Sequence, residues 1–285
     1  MTTVVATDLD RTLIYSAAST GPAPGSGVVC VEWLDGRPQS FMTASARALL
    51  AAVRRAAVLV PATTRTPAQY ARVELPGGPA PVAVVSNGGQ ILVDGSPAPG
   101  WRPAVERRIA DAGAGLAEVV RQLDRVADGP WVRNRRVADD LFTYLVVDVA
   151  TTPRGFLADW TGWCADRGWV VSMQGRKIYA LPAGLTKEAA LAEVVRRVGG
   201  RRLLAAGDGA LDAGMLELAD DGIRPAHGEL YQTGWQAPRV RVTANMGIHA
   251  GEEIVRWFAR NVAAETPDAD PVAHHRPVRR DGSVS

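Results

Sequence analysis

The sequence predicts an α/β protein in which a Rossmann-like parallel sheet is interrupted by a second, α+β unit. Three observations carry that expectation. Short apolar runs at 3–7, 58–60, 82–85 and 203–206 are interleaved with amphipathic helical segments, the rhythm of strand–helix–strand units. Each run ends in a polar or glycine-rich turn, which is where open parallel sheets bind ligands. From about Gln90 the rhythm changes to helix, two strands, helix and two strands, and the first rhythm resumes at Gly184.

Composition narrows the classes. The 285 residues are 47% hydrophobic and 22% charged, an ordinary globular balance with room for one large or two moderate cores. A net charge of +2 is too even to argue for nucleic acid or an anionic membrane as a partner. The two cysteines, Cys30 and Cys164, imply no disulfide framework, so a reducing cytoplasm is the expected setting. No segment approaches the roughly 20 apolar residues that span a bilayer, and no basic stretch followed by an apolar run opens the chain. A soluble cytoplasmic protein is expected, with no oligomeric state indicated.

Taken in order, Thr3 to Thr7 is an apolar strand running into Asp8-Leu9-Asp10-Arg11-Thr12. Side chains alternate along a strand, so Asp8 and Asp10 emerge together, either as turn caps or as a pair whose repulsion a divalent cation relieves. Ser16 to Gly27 reads as a loop. A flap hairpin at about 28–41 follows, turning at Asp35-Gly36, with Pro38 expected to confine its second strand to an edge. Thr43 caps a helix to about Arg55, with Ala46, Leu49, Leu50 and Val53 on one face. Strands at 58–60 and 82–85 end in Thr63-Thr64-Arg65 and Ser86-Asn87-Gly88-Gly89.

Within the second unit, Ala104 to Val126 has the spacing of one long helix, weakened at Gly113 and Gly115. Strands are predicted at 131–137, 141–147, 169–173 and 177–181, with a helix around Phe156 to Cys164 whose tryptophans read as core. Thr186 then caps a helix carrying Leu191, Val194, Val195 and Val198. Lys187 falls in its first turn, as a solvated lysine or as a partner for phosphate at a helix N-terminus. The strand 203–206 ends in Gly207-Asp208-Gly209-Ala210-Leu211-Asp212, where Asp212 either caps the next helix or joins the carboxylates. A last strand at 239–243 and a helix at 252–262 precede a tail, 264–285, that reads as disordered and carries His274 and His275.

With those pieces in place the chain resembles the haloacid dehalogenase superfamily of phosphatases. Four motifs occur in that family's order: Asp8-Leu9-Asp10-Arg11-Thr12, Thr63 or Thr64, Lys187, and Gly207-Asp208-Gly209-Ala210-Leu211-Asp212. Asn87-Gly88, and an insertion between the second and third motifs, resemble the subclass with a large α/β cap, which includes Cof-type sugar phosphatases, sucrose-phosphate phosphatases, mannosyl-phosphoglycerate phosphatases and phosphomannomutases. The resemblance implies a core of 1–89 and 183–263 and a cap of 90–182. Two departures stand out: Thr63-Thr64-Arg65 replaces the common Thr-Gly-Arg, and Arg11 stands where glycine is usual.

The resemblance also implies roles. Asp8 is then the nucleophile that forms an aspartyl-phosphate, and Asp10 the acid and base. Mg²⁺ is held by the Asp8 and Asp208 side chains and the Asp10 carbonyl, with Asp212 as a further ligand or orienter. Lys187 and Thr63 hold the phosphoryl oxygens. Thr64, Arg65, Asn87, Arg176 and Lys177 are candidate substrate contacts, and Arg133, Arg135 and Arg136 are either substrate readers or solvated strand faces. The implied activity is hydrolysis of a small phosphorylated metabolite, a sugar phosphate first of all. The rivals are a phosphomutase that returns the phosphoryl group, and a non-catalytic binder.

Overall fold

The computed structural model describes residues 2–21, 27–111 and 113–263. The tail with His274 and His275, and part of the loop predicted at 16–27, lie outside the described residues. The chain opens with β1 (Thr3–Thr7), buried along its whole length, and a short β2 (Tyr15–Ser16). The predicted hairpin is β3 (Val28–Leu34) and β4 (Arg37–Thr43), turned by Asp35 and Gly36 at φ of 50° and 71°. The expectation that Pro38 makes β4 an edge strand is corrected, because β4 lies between β2 and β3. Pro38 faces Trp33 alone, past the end of β2, so its missing N–H breaks no bond on the second side.

Next come α1 (Ala44–Ala56), β5 (Val58–Pro61), α2 (Pro67–Tyr70), β6 (Val82–Val85), β7 (Gln90–Val93) and β8 (Ser96–Pro97). Thr43 caps α1 as expected, its Oγ1 accepting the Ala46 N–H at 3.0 Å. β7 and β8 pair back onto β6, so the chain between Gly89 and Gly100, expected to open the second unit at residue 90, packs with the first unit instead. The expected single helix over 104–126 is corrected to α3 (Trp101–Ala110) and α4 (Leu116–Val126). The break is a docking point: the Ala114 N–H donates to the Arg167 carbonyl at 2.9 Å, and Trp169 Nε1 donates to the Ala114 carbonyl at 2.7 Å. A Cβ on Gly113 would collide with that Arg167 carbonyl, so a side chain there is excluded.

The second unit continues as β9 (Val132–Ala138), β10 (Phe142–Val147), α5 (Phe156–Ala165), β11 (Trp169–Gln174) and β12 (Lys177–Pro182). Its antiparallel sheet has the order β11-β12-β10-β9 and closes a core of its own around Phe142, Leu145, Trp160 and Leu181. Trp160 and Trp163 stack at 5.2 Å between ring centres, and Trp160 is in the core as the sequence predicts.

The chain returns through α6 (Lys187–Val198), β13 (Arg202–Ala206), α7 (Ala213–Leu218), β14 (Asp221–Arg224), α8 (Glu229–Gln232), β15 (Val240–Val242) and α9 (Ile248–Ala263). The central sheet is parallel, with order β15-β14-β13-β1-β5. Alternate residues feed two cores. Val5, Leu59 and Leu204 pack with Leu50 and Phe258 of α1 and α9, while Val4, Ala6, Val60 and Leu203 pack with Leu191 and Val194 of α6. Both faces are covered, which is why these strands read as unbroken apolar runs. Each fully buried leucine of this kind contributes about 2 kcal/mol of transfer free energy. Among the described residues no helix is long and apolar enough to cross a membrane.

Candidate active site

The parallel register of β1 and β13 brings two of the charged turns together. Thr7 lies opposite Ala206, and the Asp8 N–H donates to the Ala206 carbonyl at 2.8 Å, so Asp8 and Asp208 leave the sheet side by side. A single 3₁₀ turn, Ala210–Asp212, folds Asp212 back beneath them. Its Oδ2 accepts the N–H groups of Asp208 and Gly209 at 3.1 and 2.9 Å. Carboxylate oxygens of Asp8, Asp208 and Asp212 lie within 4.8 Å of one another, and all three residues are buried.

Lys187 completes the cluster from α6. It is 1% exposed, and its Nζ donates to Asp8 Oδ1 at 2.7 Å and Asp212 Oδ1 at 2.6 Å. The helix start that delivers it is held from beneath: Asn87 Nδ2 donates to the Leu185 carbonyl at 2.7 Å, and Gly88, at φ 92°, lies so close to the Thr186 carbonyl that a Cβ would collide with it. Thr186 Oγ1 caps the helix by accepting the Ala189 N–H at 3.4 Å.

Three carboxylates surround one buried ammonium, and the surplus negative charge shows in the proton affinities of Asp8 and Asp208. Burial pushes Asp8 up to about 7, Asp212 and Asp10 adding to the effect against the pull of Lys187. Burial, with Asp8 and Asp212 alongside, also raises Asp208 well above the usual carboxylate range. Burial opposes the charge of Lys187, but Asp212 and Asp8 hold it protonated, above the ordinary lysine range. A buried set of hard oxygen donors with unbalanced negative charge fits a divalent cation such as Mg²⁺.

No protein-family model matches the chain. No curated protein matches it in sequence. The solved structures do. The sucrose-phosphatase from Synechocystis sp. PCC6803 aligns over 90% of this chain and 97% of its own with a TM-score of 0.56 at 14% identity. A trehalose-6-phosphate phosphatase related protein aligns over 92% and 100%, with a TM-score of 0.53 at 16% identity. A sugar phosphatase of subclass IIB of the haloacid dehalogenase superfamily aligns over 92% and 100%, with a TM-score of 0.55 at 13% identity. The chain has the haloacid dehalogenase fold. At such identities the likeness is one of fold, and the site rests on its own geometry.

On that haloacid dehalogenase frame the other sequence-predicted residues separate into two groups. Asp10 stays at the crevice with its side chain 39% exposed, but its carboxylate stands apart from the metal-type cluster, in the fork of Arg65. Arg65 Nε and Nη2 donate to Asp10 Oδ2 and Oδ1 at 2.7 and 2.8 Å. Burial would raise the Asp10 carboxyl, yet Arg65 brings it down to about 2. Thr63 is fully buried and its Oγ1 accepts the Arg65 N–H at 3.1 Å; Thr64 is 7% exposed. Asn87 is buried under the start of α6, its Nδ2 donating to the Leu185 carbonyl.

From the second unit, Lys177 lies 5.8 and 6.0 Å from the ring centres of Tyr144 and Tyr179. Tyr179, and beyond it Asp10, hold its ammonium above the usual lysine range against burial. Arg176 is exposed in the β11–β12 turn. Arg133 and Arg135 pair with Asp148 at 2.6 Å and Asp124 at 3.6 Å on the outer strand β9, the solvated-face alternative.

Three residues at the site escaped the sequence reading. Glu32 of β3 is buried against Arg65, and its signal was a lone carboxylate within an apolar strand, Val28–Leu34. His227 Nδ1 accepts the Gly247 N–H at 3.2 Å, so Nε2 carries the proton and donates to the Arg11 carbonyl at 2.8 Å. Arg11 sits at φ 66°, which accounts for glycine being usual there, and its Nε lies 3.6 Å from Asp208. Glu229 ties the two units together, accepting Ser172 Oγ at 2.6 Å, the Met173 N–H at 3.3 Å and the Ala210 N–H at 2.9 Å.

Proposed function

We propose that this protein is a Mg²⁺-dependent phosphatase that hydrolyses a small phosphorylated metabolite, a sugar phosphate first of all, through an aspartyl-phosphate on Asp8. The observation that supports it best is the buried Asp8–Lys187–Asp212 arrangement beside Asp208 at the carboxyl ends of neighbouring strands. The Asp8 and Asp208 carboxylates, with the Asp10 backbone carbonyl, would hold the metal, and Asp212 would orient the group. When bound, the metal supplies the positive charge that lets an anionic phosphate approach an anionic nucleophile.

Lys187 fixes one oxygen of Asp8 and leaves the other to attack phosphorus. As that bond forms, the bond from phosphorus to the leaving oxygen breaks, and Asp10 gives that oxygen a proton. In the resting protein Arg65 holds Asp10 ionised; the negative charge of an incoming phosphate raises its proton affinity, and Asp10 takes up from solvent the proton that it then gives to the leaving oxygen. In the second half Asp10 takes a proton from water, whose oxygen attacks phosphorus and releases Asp8 and inorganic phosphate. Lys187 and the Thr63 segment balance charge on the phosphoryl oxygens. Lys177, with Tyr144 and Tyr179, is the group proposed to read the leaving alcohol, and residues 101–182 act as the cap that carries it.

The test is phosphate release from a panel of sugar phosphates and other phosphometabolites, with Mg²⁺ or with EDTA, alongside Asp8→Asn. Release that requires metal and is abolished in Asp8→Asn is expected. Folded wild-type protein that releases no phosphate from any compound would sink the phosphatase reading. Transfer that appears only with a sugar bisphosphate would replace it with a phosphomutase.

A further inference from the structure

The Glu32 carboxylate is 2% exposed, yet it sits on a hairpin strand whose neighbours are Val31 and Trp33. A buried charge on such a strand is unfavourable unless it is fully matched. Glu32 is matched by donors from three residues: Arg65 Nη1 at 2.8 Å and Nη2 at 2.9 Å, Arg72 Nε at 3.2 Å and Nη2 at 3.1 Å, and Ser40 Oγ at 2.6 Å. That saturation fixes the carboxylate in one position.

Arg65 is the link from Glu32 to the crevice. Its guanidinium uses one edge on Glu32 and the other on Asp10, and Nη1 also reaches the Gln69 carbonyl at 3.4 Å. These five contacts match the five N–H donors of an arginine, so Arg65 keeps none for a substrate phosphate. A rigid plane held on one edge by Glu32 sets the plane of the Asp10 carboxylate on the other. The backbone of Arg65 is fixed too, its N–H donating to Thr63 Oγ1 at 3.1 Å and its carbonyl accepting the Ser86 N–H at 2.7 Å.

We infer that Glu32 is a positioning residue: through Arg65 it holds the Asp10 carboxylate in the orientation from which it serves the leaving oxygen and then the attacking water. The inference rests on the reading of Asp10 as the acid and base. Both oxygens of Asp10 are held by Arg65, Oδ2 by Nε at 2.7 Å and Oδ1 by Nη2 at 2.8 Å, so the direction of the carboxylate follows the fork. An acid that is misdirected harms reactions with poor leaving groups most, because a nitrophenolate departs without a proton while a sugar alkoxide does not. The hairpin that carries Glu32 thus takes part in catalysis without touching substrate.

The test compares the single-turnover rate at which the leaving group is released from the best sugar phosphate of the panel with that from p-nitrophenyl phosphate, at saturating Mg²⁺, for wild type, Glu32→Gln, Ser40→Ala and Asp10→Asn. A single turnover reads the leaving-group step apart from the water step that the two substrates share. For Glu32→Gln we expect the single-turnover rate on the sugar phosphate to fall about tenfold to a hundredfold, with that on p-nitrophenyl phosphate changed less than about threefold, as for an acid displaced from its leaving group. Ser40→Ala, which removes one donor to Glu32, should show the same selectivity more weakly, and carries the test if Glu32→Gln does not fold. If folded Glu32→Gln or Ser40→Ala loses activity on both substrates alike, or on neither, while Asp10→Asn is selective, Glu32 is structural and the inference is wrong. If Asp10→Asn itself shows no selectivity, the acid–base reading of Asp10 fails and this inference falls with it.

Discussion

At Arg65 one side chain separates two kinds of charge. The Asp8 and Asp208 carboxylates are pushed towards protonation by burial and by neighbouring carboxylates, whereas Arg65 holds Asp10 and Glu32 below their usual range against burial. A carboxyl with a depressed folded-state pKa stabilises the fold above its unfolded value, near 4, and that stabilisation is lost as pH falls towards the folded value. Removing Arg65 strands Glu32 with Arg72 and Ser40 alone, a loss of about 3 kcal/mol at pH 7 by analogy with other broken buried pairs. The urea midpoints of wild type and Arg65→Met should therefore differ most near neutral pH and converge as pH falls from about 4 towards 2. A gap that stays constant over that range would mean that the fork contributes no pH-linked stability.

The element that places Lys187 is α6, and its start is seated on the turn Ser86–Gly88. Asn87, which the sequence marks as a candidate substrate contact, donates from Nδ2 to the Leu185 carbonyl, and Gly88 lets the Thr186 carbonyl approach. Gly88→Ala combines a φ of 92° with a backbone collision, so a loss of about 2 kcal/mol or more is expected, as at other strained positions. Because the shift falls on the first turn of α6, it should also reduce kcat by more than tenfold, measured beside thermal unfolding at saturating Mg²⁺. Unaltered kcat in a folded Gly88→Ala protein would show that Lys187 is positioned without this seat. The same logic explains the division of 101–126 into two helices: the hydrophobic period is continuous, but Ala114 is bonded to Arg167 and Trp169 rather than to its own helix.

At the scale of the whole molecule, polar groups tie the two units together. Glu229, at the start of α8, accepts from Ser172 and Met173 of β11 and from Ala210 beside Asp208, while Asp139 in the β9–β10 turn accepts from Ser86 and Gln90. A cap that closes over a site needs contacts that can be broken and remade, and polar ties at its rim meet that need. Glu229→Ala is expected to raise KM about threefold to tenfold with a smaller change in kcat, and to speed amide exchange across 172–175. Exchange unchanged in that segment would mean that the second sheet is held by other contacts.

How far the site was legible follows from the range of the forces involved. Alternation of apolar strands and amphipathic helices was enough to read the parallel sheet and the caps Thr43 and Thr186, because backbone pairing and capping depend on neighbours in the chain. Asp8, Asp10 and Asp208 were legible as candidates because strand ends are where such a sheet gathers chemistry, whereas Lys187 and Asp212 had a solvated or capping alternative that only the family resemblance set aside. The short strand β14, Asp221–Arg224, was missed since its glycine and charges carry no apolar pattern and β13 and β15 supply its pairing. Arg65 was read as a substrate contact because a sequence shows a charge but not its partner. That partner is Glu32, 33 positions away on another sheet, and only the three-dimensional packing of the hairpin against the crevice decides that the two charges neutralise each other. Local periodicity thus determined the elements, and the motifs along the chain the candidate residues, while tertiary structure decided which ionised groups meet, since a buried charge is stable only where distant chain brings its counterion.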